Sequence, residues 1–434
     1  ICQRIVAEAK AGKTVARLKG GDPSVFGRLA EEVDALQSAG VPFEIVPGVT
    51  TATAAGAYAG VTITDRDRAS SVALVAGHLQ ADKADGDDAP PDFAALASFP
   101  GTIVIYMGVT TAASWSGELI ANGKPAETPV VLVRRCTLPD QTIARCTLGE
   151  VPDVLAPGRI RPPLVAIVGE VAVDARASSW FTERPLFGKT VLVTRPKHQA
   201  ARLIARLEDL GASVVEQPAI EIGPPDDWEP VDAAIDRLAD FDWVVFSSSN
   251  GVERWLDRMA SRGLDARAFA SAKIAAIGPA TREALNRYRL NTDLQPNEFR
   301  AEALADALVA DAGGKRFLLV RASRGREVLG DRLQAAGGKV EHVVAYRSTD
   351  VLEANDDVAR KLSAGEIDWA TVTSSAIAKS LVNLFGEGLR NARLAAISPL
   401  TAGVLSDAGF EPAAVAEQYT TDGLIDAMLA ASEE

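Results

Sequence analysis

Residues 188–196 read GKTVLVTRP, and the pattern returns at residues 314–322 as GKRFLLVRA. Two further blocks recur in the same order: DWVVFSSSNGV (242–252) as DWATVTSSAIA (368–378), and IAAIGPAT (274–281) as LAAISPLT (394–401). Blocks that recur once at nearly one interval predict two similar lobes, because a solenoid has shorter periods and at least three copies. Two α/β lobes normally leave a cleft between them, and clefts are where ligands bind. We therefore expect the chemistry of this half of the chain in such a cleft.

Composition limits the class of protein. The chain has 434 residues and a formal net charge of −13. That length suits about two to four domains, and the acidic balance disfavours a nucleic-acid binder. The cysteines are Cys2, Cys136 and Cys146, and the histidines are His78, His198 and His342. Such few and scattered side chains predict neither a disulfide framework nor a metal centre, and they are typical of a reducing, cytoplasmic compartment.

No stretch of the sequence predicts a membrane segment or a signal peptide. The longest uncharged stretch, Phe93–Gly117, is interrupted by Pro100-Gly101. Its apolar centre, Ile103–Val109, has the length of a buried strand and is too short to cross a bilayer. The chain opens at Ile1 with an amphipathic pattern that leads into a strand, so we expect the sequence to begin inside a domain.

The first part of the chain alternates between predicted strands and helices. Thr14–Lys19 and Val41–Val46 read as strands, and Gly20-Gly21 reads as a turn. Asp22 is a natural N-cap, and Pro23 fits the first position of the helix that would follow. The predicted apolar face of that helix comprises Val25, Phe26, Leu29, Val33 and Leu36, and its predicted end is Gly40.

A boundary between two halves is predicted at residues 178–189, after which the α/β alternation resumes. The apolar runs WVVF (243–246) and FLLV (317–320) predict parallel strands that are covered on both faces. Thr190–Thr194 also reads as a strand, and the helix after it is predicted to end at Gly211. The acidic segment at 79–93 reads as a solvated surface loop.

Six short motifs occur in order in the first half of the chain. They are RLKGGDPSVFGR (17–28), VPGVT (46–50), AGH (76–78), YMGV (106–109), RCTLPDQ (135–141) and PLVAIVGEV (163–171). Together they strongly resemble the uroporphyrinogen-III C-methyltransferases of the tetrapyrrole methylase family, over about residues 1–177. The resemblance implies the last two-thirds of a tetrapyrrole methylase fold, a homodimeric methyltransferase half, and methylation of two pyrrole carbons of uroporphyrinogen III by S-adenosylmethionine to give precorrin-2.

The resemblance also implies a set of cofactor-binding residues. These are Gly20, Gly21, Asp22, Val25, Thr50, Thr51, Met107 and Cys136. Gly20 and Gly21 let the main chain approach a ligand closely, and an ionised Asp22 can accept a ribose hydroxyl or complement the sulfonium charge. For Val25 and Met107, plain core packing is the alternative.

The sequence departs from the methyltransferase pattern at several points. The family's glycine-rich first loop and its candidate acid and base residues would precede Ile1. Asp65 stands where the family usually has His, Ala76 where it has Thr, and Leu29-Ala30 where it has Gly-Gly. We therefore expect these residues to keep much of the cofactor surface without methyltransferase activity, which a full-length parent would have.

The second half carries a different set of ordered motifs. They are VLVTRP, FSSSNGV, AAIGPAT, LLVRASRGR, VVAYRS, VTSSA and ISPLTA. They resemble uroporphyrinogen-III synthase over residues 189–434, and the junction RPLFGKTVLVTRP (184–196) resembles natural fusions of the two enzymes. The resemblance implies a linker at 178–188 and two doubly wound parallel-sheet lobes, one formed by 189–222 with 349–434 and the other by 223–348. Sparse contact between such lobes permits opening and closing, so we predict that their relative orientation differs between crystal forms.

Synthases of this family close linear hydroxymethylbilane to uroporphyrinogen III with inversion of ring D. The terminal hydroxyl leaves to give an azafulvene, ring D attacks through its substituted carbon, and the resulting spiro-pyrrolenine fragments and recloses. The resemblance implies no cofactor for this half. Closure without inversion is spontaneous, so holding the chain in the productive geometry is the main task of the protein.

A substrate with eight carboxylates must be held by local features of this acidic chain. Ser248, Thr281, Ser374 and Thr401 each lie between an apolar strand and a helix-like segment, where hydroxyls and free N–H groups favour anions. For each one alone, a simple helix N-cap is the alternative. Basic islands at Arg195, Lys197, Arg321, Arg324 and Arg326 are also candidates, with solvated surface charge as the alternative. Of these basic residues, we expect Arg195 to bind substrate. By resemblance, we expect Tyr346 to assist departure of the hydroxyl, with a half-buried hinge tyrosine as the alternative.

Two other functions stay open at this point. In one, the methyltransferase is the primary activity and the second half passes substrate to it. In the other, residues 188–434 form a non-catalytic small-molecule sensor, since bilobal α/β folds also serve as binding modules. A sensor would usually carry a DNA-binding or signalling segment, and the sequence contains no recognisable one.

Overall fold

A computed structural model describes residues 1–77, 91–173, 179–270, 272–325 and 327–433. Within these ranges the fold is α/β, and the chain divides into two compact units. Unit 1 comprises Ile1–Gly188 with Leu210–Ser213, and unit 2 comprises Lys189–Asp209 with Val214–Glu434. His78 of the AGH motif, most of the predicted acidic loop, and Arg326 lie outside the described residues.

Unit 1 contains one five-stranded sheet and six α-helices among its described residues. The strands are β1 (Val72–Ala76), β2 (Thr102–Tyr106), β3 (Pro129–Arg134), β4 (Thr142–Thr147) and β5 (Leu164–Val168). The helices are α1 (Cys2–Lys10), α2 (Leu29–Ser38), α3 (Thr51–Ala59), α4 (Phe93–Ala97), α5 (Ala112–Ala121) and α6 (Val151–Val154). The sheet order is β1-β2-β5-β3-β4, in which only β1 and β2 pair in parallel.

Alternating side chains of this sheet fill two cores. On strand β2, Val104 belongs to a cluster that includes the alanines of α3, whereas Ile103 and Ile105 pack with Trp115 of α5. Successive side chains of a strand point to opposite faces, so an uninterrupted apolar run such as TIVIY serves both faces at once.

The two strands predicted at the start of unit 1 are wrong. Thr14–Lys19 and Val41–Val46 carry no strand assignment, and neither belongs to a sheet of the described residues. A strand requires a neighbouring backbone to pair with, and an alternating pattern of side chains cannot provide one. Both segments instead line a cavity of about 730 Å³.

The predicted helix start at Asp22-Pro23 is also wrong, because α2 begins at Leu29. Asp22 instead closes a local turn, in which its Oδ1 accepts from the Ser24 backbone N–H at 2.8 Å. Positive φ values of 54° at Phe26 and 56° at Arg28 then keep the backbone out of the right-handed helical region. The Asp22 carboxylate accepts from a backbone N–H of the turn, and such local hydrogen bonds of Asp side chains offer the backbone an alternative to the helix.

Unit 2 contains two five-stranded sheets. The strands are β6 (Thr190–Val193), β7 (Ser213–Glu216), β8 (Ile220–Gly223), β9 (Trp243–Phe246), β10 (Lys273–Ala276), β11 (Arg316–Ala322), β12 (Lys339–Asp350), β13 (Trp369–Val372), β14 (Arg393–Ala396) and β15 (Ala414–Val415). The helices are α7 (Lys197–Asp209), α8 (Glu229–Asp236), α9 (Ser249–Ser261), α10 (Pro279–Arg287), α11 (Ala301–Val309), α12 (Val328–Ala335), α13 (Asp356–Ser363), α14 (Ser375–Phe385), α15 (Pro399–Asp407) and α16 (Thr421–Glu433).

The two sheets define two lobes. Lobe 1 has the strand order β15-β14-β13-β6-β7, and lobe 2 has the order β10-β9-β11-β12-β8. The recorded pairs of both sheets are parallel except where β8 pairs antiparallel with the end of β12. The predicted fold class of two parallel-sheet lobes is therefore confirmed.

The sequence repeat does not coincide with the lobes. The first copy supplies β6 and β7 to lobe 1 but β9 and β10 to lobe 2, and the second copy supplies β11 and β12 to lobe 2 but β13 and β14 to lobe 1. Each lobe is therefore built from half of each copy. Strands that correspond in the repeat occupy corresponding positions in the two sheets, so the two lobes are similar. Each lobe nevertheless contains strands from both copies.

A short antiparallel ribbon connects the two lobes. Ile220–Gly223 pairs with Arg347–Asp350, and the predicted lobe boundaries at 222/223 and 348/349 fall inside this ribbon. Ile220 belongs to the core of lobe 1, and Ile222 packs against the cores of both lobes. No helix in the described part of the chain has the length and apolar character that crossing a membrane requires.

Candidate functional site

The carboxyl ends of the parallel strands gather the predicted side chains of lobe 2. Ser248 follows β9 and is the N-cap of α9, where its Oγ accepts from the Gly251 backbone N–H at 3.0 Å. The same Oγ lies 2.9 Å from the phenol oxygen of Tyr346, near the end of the parallel part of β12. The structure therefore joins two residues that are 98 positions apart in sequence. Ligands of open α/β sheets bind at this edge.

The phenol of Tyr346 is buried, with 7% of the residue exposed. Burial raises its pKa above the ordinary tyrosine value, while hydrogen bonds from Ser248 and Asn250 and the positive charge of Arg324 act in the opposite direction. The net rise keeps the phenol protonated at neutral pH. Tyr346 therefore presents a neutral hydroxyl that can donate a hydrogen bond.

In lobe 1 the equivalent helix starts are arranged in the same way. Ser374 is the N-cap of α14 and accepts from the Ile377 backbone N–H at 3.2 Å. Thr401 lies in the first turn of α15, and its Oγ1 is 3.1 Å from the Oγ of Ser398, the N-cap. Ser398 was missed in the sequence, although a Ser before Pro at a strand end is a recognisable cap signal.

Thr281 and Thr401 are both buried, each with 2% of the residue exposed. They lie in the first turns of α10 and α15, at equivalent positions of the repeat. Gly278 takes the N-cap position of α10, where lobe 1 has Ser398. The two threonines therefore lie at the predicted helix starts, but their side chains are buried and not exposed to solvent.

The predicted basic residues differ in their surroundings. Arg195 follows β6, donates to the Thr421 hydroxyl at 3.3 Å, and has a pKa lowered by burial. Within the described ranges it forms no ion pair with Asp or Glu at 4.0 Å or less. Its counterpart in lobe 2, Arg321, instead pairs with Glu327 at 2.6 Å. An arginine without a carboxylate partner is the better candidate for holding an anion.

Arg321 and Arg324 line a second cavity in lobe 2, of about 240 Å³, which Ser247 and Tyr346 also line. Arg324 pairs with Asp350 at 2.6 Å, so both arginines of this cavity have a carboxylate partner. The exposed Lys197 begins α7. Solvated or paired charge thus describes these three side chains better than an open anion site.

In unit 1 the glycine-rich turn packs against the VPGVT segment. The Oδ2 of Asp22 accepts from the Gly48 backbone N–H at 3.0 Å, and a Cβ added to Gly48 would lie 2.6 Å from the carbonyl oxygen of Gly21. Hydrogen bonds from Ser24 and Gly48 hold the pKa of Asp22 below its ordinary value. The carboxylate is therefore ionised and already orders the turn.

Tyr106 is a further residue of this region, and the sequence motifs did not predict its role. Its hydroxyl lies 2.6 Å from the Oγ1 of Thr50 and accepts from the Ala52 backbone N–H at 2.8 Å. Its ring is 5.0 Å from that of Phe26. Tyr106 was visible in the YMGV motif, but only the position of its hydroxyl shows that it connects β2 to the start of α3.

Three of the predicted cofactor residues line a cavity of about 630 Å³. They are Thr51, Met107 and Cys136. Burial raises the pKa of the Cys136 thiol to about 11, so the thiol stays neutral. Met107 is 53% exposed and has a φ of 55°, so core packing does not describe it.

The other predicted cofactor-binding residues do not line this cavity. Gly20, Gly21 and Asp22 form the turn beside Val49-Thr50, and Val25 donates its backbone N–H to the carbonyl of Asp22. None of Gly20, Asp22 and Val25 lines the 630 Å³ cavity. Across the residues described, no group of three or more His, Cys, Asp and Glu side chains is arranged to hold a metal ion.

Comparison with known proteins connects both units to tetrapyrrole enzymes. The family profile for "Uroporphyrinogen-III synthase HemD" matches residues 201–426, and the profile for "Tetrapyrrole (Corrin/Porphyrin) Methylases" matches residues 1–152. The "Porphyrin biosynthesis protein HemD" of Ruminiclostridium josui is 33% identical over 98% of this chain and 84% of that protein. The "Uroporphyrinogen-III C-methyltransferase" of Bacillus subtilis is 35% identical over 68% of this chain and 59% of that protein, so this chain spans only part of its length.

Two solved structures are similar to separate parts of the chain. The uroporphyrin-III C-methyl transferase of Thermus thermophilus, complexed with S-adenyl homocysteine, is 36% identical over 39% of this chain and 72% of that one, with a TM-score of 0.34. A mutant uroporphyrinogen III synthase of the same bacterium is 18% identical over 56% of this chain and 99% of that one, with a TM-score of 0.43.

The fold and the family matches define an enzyme of tetrapyrrole biosynthesis that combines a methylase domain with a synthase domain. More specifically, the chain belongs to the uroporphyrinogen-III synthase HemD family, and its residues 1–152 match the profile of the tetrapyrrole methylases.

Proposed function

We propose that unit 2 converts hydroxymethylbilane to uroporphyrinogen III with inversion of ring D. The observation that carries this proposal is the protonated phenol of Tyr346, held 2.9 Å from Ser248 at the carboxyl edge of the lobe 2 sheet. A neutral donor at that place can hydrogen-bond a departing hydroxyl, which is the first chemical requirement of the reaction. The match to the HemD family supports the same assignment.

The reaction is a loss of water without a change in oxidation state. The C–O bond of the terminal hydroxymethyl group breaks, and the hydroxyl leaves as water after gaining a proton, assisted by Tyr346. The substituted carbon of ring D attacks the resulting methylene, and the bond that joined ring D to ring C then breaks. That bond re-forms at the free carbon of ring D, which releases its proton. Because closure without inversion is spontaneous, the protein must chiefly fold the chain for this attack.

We assign the substrate carboxylates to the helix starts at the carboxyl edges of both sheets. The N-cap sites of Ser248 and Ser374 orient backbone N–H groups at the starts of α9 and α14, and the buried Thr281 and Thr401 lie in the first turns of the neighbouring helices α10 and α15. Arg195 supplies a cation in lobe 1 that no carboxylate of the described residues neutralises. Local N–H donors and one unpaired guanidinium attract a polyanion even though the whole chain is acidic.

For unit 1 we propose a surface that binds S-adenosylmethionine for methyl transfer to uroporphyrinogen III, giving precorrin-2. The cavity lined by Thr51, Met107 and Cys136 supports this proposal, since it is large enough for a ligand of this size and offers an exposed thioether and a neutral thiol. The ionised Asp22 does not line this cavity and contributes by ordering the glycine-rich turn, where its carboxylate accepts from the Gly48 backbone N–H. When bound, S-adenosylmethionine supplies the methyl group; these residues bind and orient it.

The synthase proposal is tested by comparing the wild-type chain with the double variant Ser248→Ala/Tyr346→Phe. We expect the wild type to form mainly isomer III from hydroxymethylbilane, and the variant to form it at least tenfold more slowly with a larger share of isomer I. An unchanged rate and isomer ratio in the variant would contradict the role of this pair.

S-adenosylhomocysteine binding by calorimetry tests unit 1 separately, with weakened binding expected for Met107→Ala.

A further inference from the structure

A series of side-chain contacts joins lobe 1 to Tyr346. Gln199 lies in the first turn of α7 in lobe 1, and its Nε2 donates to the Oδ1 of Asn250 in the first turn of α9 at 2.5 Å. The Nε2 of His198 lies 3.4 Å from the same oxygen. Asn250 lies in the first turn of α9, and the N-cap of that helix, Ser248, is 2.9 Å from the phenol oxygen of Tyr346 in lobe 2. The Asn250 side chain acts on this phenol as a hydrogen-bond partner that lowers its pKa. A residue of one lobe therefore reaches the phenol of the other through Asn250.

The direction of each hydrogen bond follows from the chemistry of the amide. An asparagine side chain has an oxygen that only accepts and a nitrogen that only donates. Because Gln199 donates to the oxygen, the amide nitrogen of Asn250 is the atom left for the phenol oxygen of Tyr346. A phenol oxygen that accepts from Asn250 keeps its own proton for Ser248 or for a group in the cleft.

We propose that Asn250 is a positioning residue for Tyr346 and that Gln199 of lobe 1 sets the orientation of its amide. This inference rests on the proposed synthase function. When the lobes separate, Asn250 loses Gln199, and its amide can turn to offer its oxygen to the phenol. The phenol of Tyr346 then donates its hydrogen bond to the Asn250 oxygen, and its O–H is no longer free to donate to a leaving hydroxyl. Contact between the lobes thereby prepares the donor.

The substitution Gln199→Glu tests this orientation directly, because a carboxylate of nearly the same shape can only accept. The amide nitrogen of Asn250 then turns toward lobe 1 and its oxygen faces Tyr346. We expect the kcat for isomer III to fall about tenfold in Gln199→Glu and only about twofold to fivefold in Gln199→Ala, with KM changed less than about twofold. In an Asn250→Ala background the two substitutions should give the same kcat, which separates the effect of the amide from that of the added charge.

A second measurement does not depend on activity. The chain has five tyrosines, so 13Cζ-labelled tyrosine gives few NMR resonances, and Tyr346→Phe identifies the one of interest. We expect that resonance to move on Gln199→Glu and to stay in place when Asn250 is already Ala. If Gln199→Glu does not fold, Asn250→Asp carries the test, because a carboxylate there also accepts the hydrogen bond of the phenol; the same tenfold loss of kcat is then expected.

Equal kcat values for Gln199→Glu and Gln199→Ala in the presence of Asn250 would overturn the proposal. A 13Cζ chemical shift of Tyr346 that is the same in the wild type and in Gln199→Glu would also overturn it. A wild type that forms only isomer I would instead contradict the proposed synthase function, and the NMR result would still decide whether Gln199 acts on Tyr346 through Asn250.

Discussion

At the scale of single residues, the proposed chemistry depends on the protonation of two buried groups. Tyr346 keeps its proton because burial outweighs the hydrogen bonds and the Arg324 charge that favour the phenolate. Cys136 keeps its proton because burial raises the pKa of the thiol to about 11. One group is therefore able to donate a hydrogen bond, as proposed for Tyr346, and the other stays uncharged in a cavity proposed for a cationic cofactor.

The raised pKa of Tyr346 predicts the alkaline limb of the synthase reaction. The donor is present below the pKa and is lost as the pH rises through it, so the rate should fall only above the ordinary tyrosine range near pH 10. Tyr346→Phe should lower the rate at pH 8 about threefold to tenfold and abolish this limb. Tyr288→Phe is the control, because that phenol bonds to Asp257 and should leave the profile unchanged. An alkaline limb that survives in Tyr346→Phe would assign it to another group.

The thiol of Cys136 should be slow to alkylate. At pH 8 a thiol with a pKa of about 11 is almost entirely protonated, and only the thiolate reacts. We expect iodoacetamide to modify Cys136 at least tenfold more slowly than free glutathione, measured by peptide mass spectrometry. Modification at the rate of glutathione would show that the thiol is ionised more easily than its burial indicates.

The motifs identified some site residues and could not identify others. Ser248 and Ser374 follow apolar strands, and Tyr346 lies in the recurrent VVAYRS segment, so sequence alone pointed to them. Asn250 and Tyr106 lie in the motifs FSSSNGV and YMGV, but the motifs do not indicate which groups these two side chains contact. Their roles depend on partners 51 and 56 positions away, and no local pattern reports such contacts.

At the scale of elements, apolar runs and alternation gave different results. WVVF and FLLV were predicted correctly as buried parallel strands, because covered strands are apolar throughout. Thr14–Lys19 and Val41–Val46 have similar patterns and are not strands, since pairing depends on a neighbour that the pattern does not specify. The helix predicted at Asp22 failed because local hydrogen bonds to its carboxylate formed a turn instead.

Two glycine substitutions in unit 1 should change its stability in opposite directions, because Gly48 is closely packed against the glycine-rich turn and Gly117 is not closely packed. Gly48→Ala places a Cβ 2.6 Å from the Gly21 carbonyl oxygen, and this overlap should destabilise unit 1 by about 1–3 kcal/mol and weaken S-adenosylhomocysteine binding. Gly117→Ala, in the middle of α5 with no atom within 4 Å of the new Cβ, should stabilise by about 0.5–1 kcal/mol. Urea unfolding measures both, and a neutral Gly48→Ala would contradict the tight contact.

At the scale of the whole molecule, unit 2 is a duplication whose copies exchange halves between two lobes. The repeat was plain in the sequence, and so was the α/β class of each lobe. The repeat alone did not predict that each lobe contains strands from both copies. The interval between the copies is the same whether each copy forms its own lobe or is divided between the two lobes. Lobe 2 is formed by one continuous segment between the two segments of lobe 1, and the short ribbon of Ile220–Gly223 with Arg347–Asp350 can act as the hinge.

The relative orientation of the lobes should therefore change when a tetrapyrrole binds. Spin labels at Glu283→Cys and Lys379→Cys, on α10 and α14 in a background without native cysteines, report the distance between the lobes. We expect uroporphyrin III to narrow the distance distribution, and Gln199→Ala to broaden it in the free protein because one contact between the lobes is lost. Identical distributions in all three states would show a fixed orientation.

The central claim is that unit 2 directs ring closure, and the isomer composition of uroporphyrin tests it most directly. Hydroxymethylbilane is incubated with increasing amounts of the wild-type chain, with and without S-adenosylmethionine, and the products are oxidised and separated. We predict that isomer III dominates and that its share rises with enzyme concentration, since the enzyme competes with spontaneous closure. Formation of isomer I alone, at every enzyme concentration, would contradict the account.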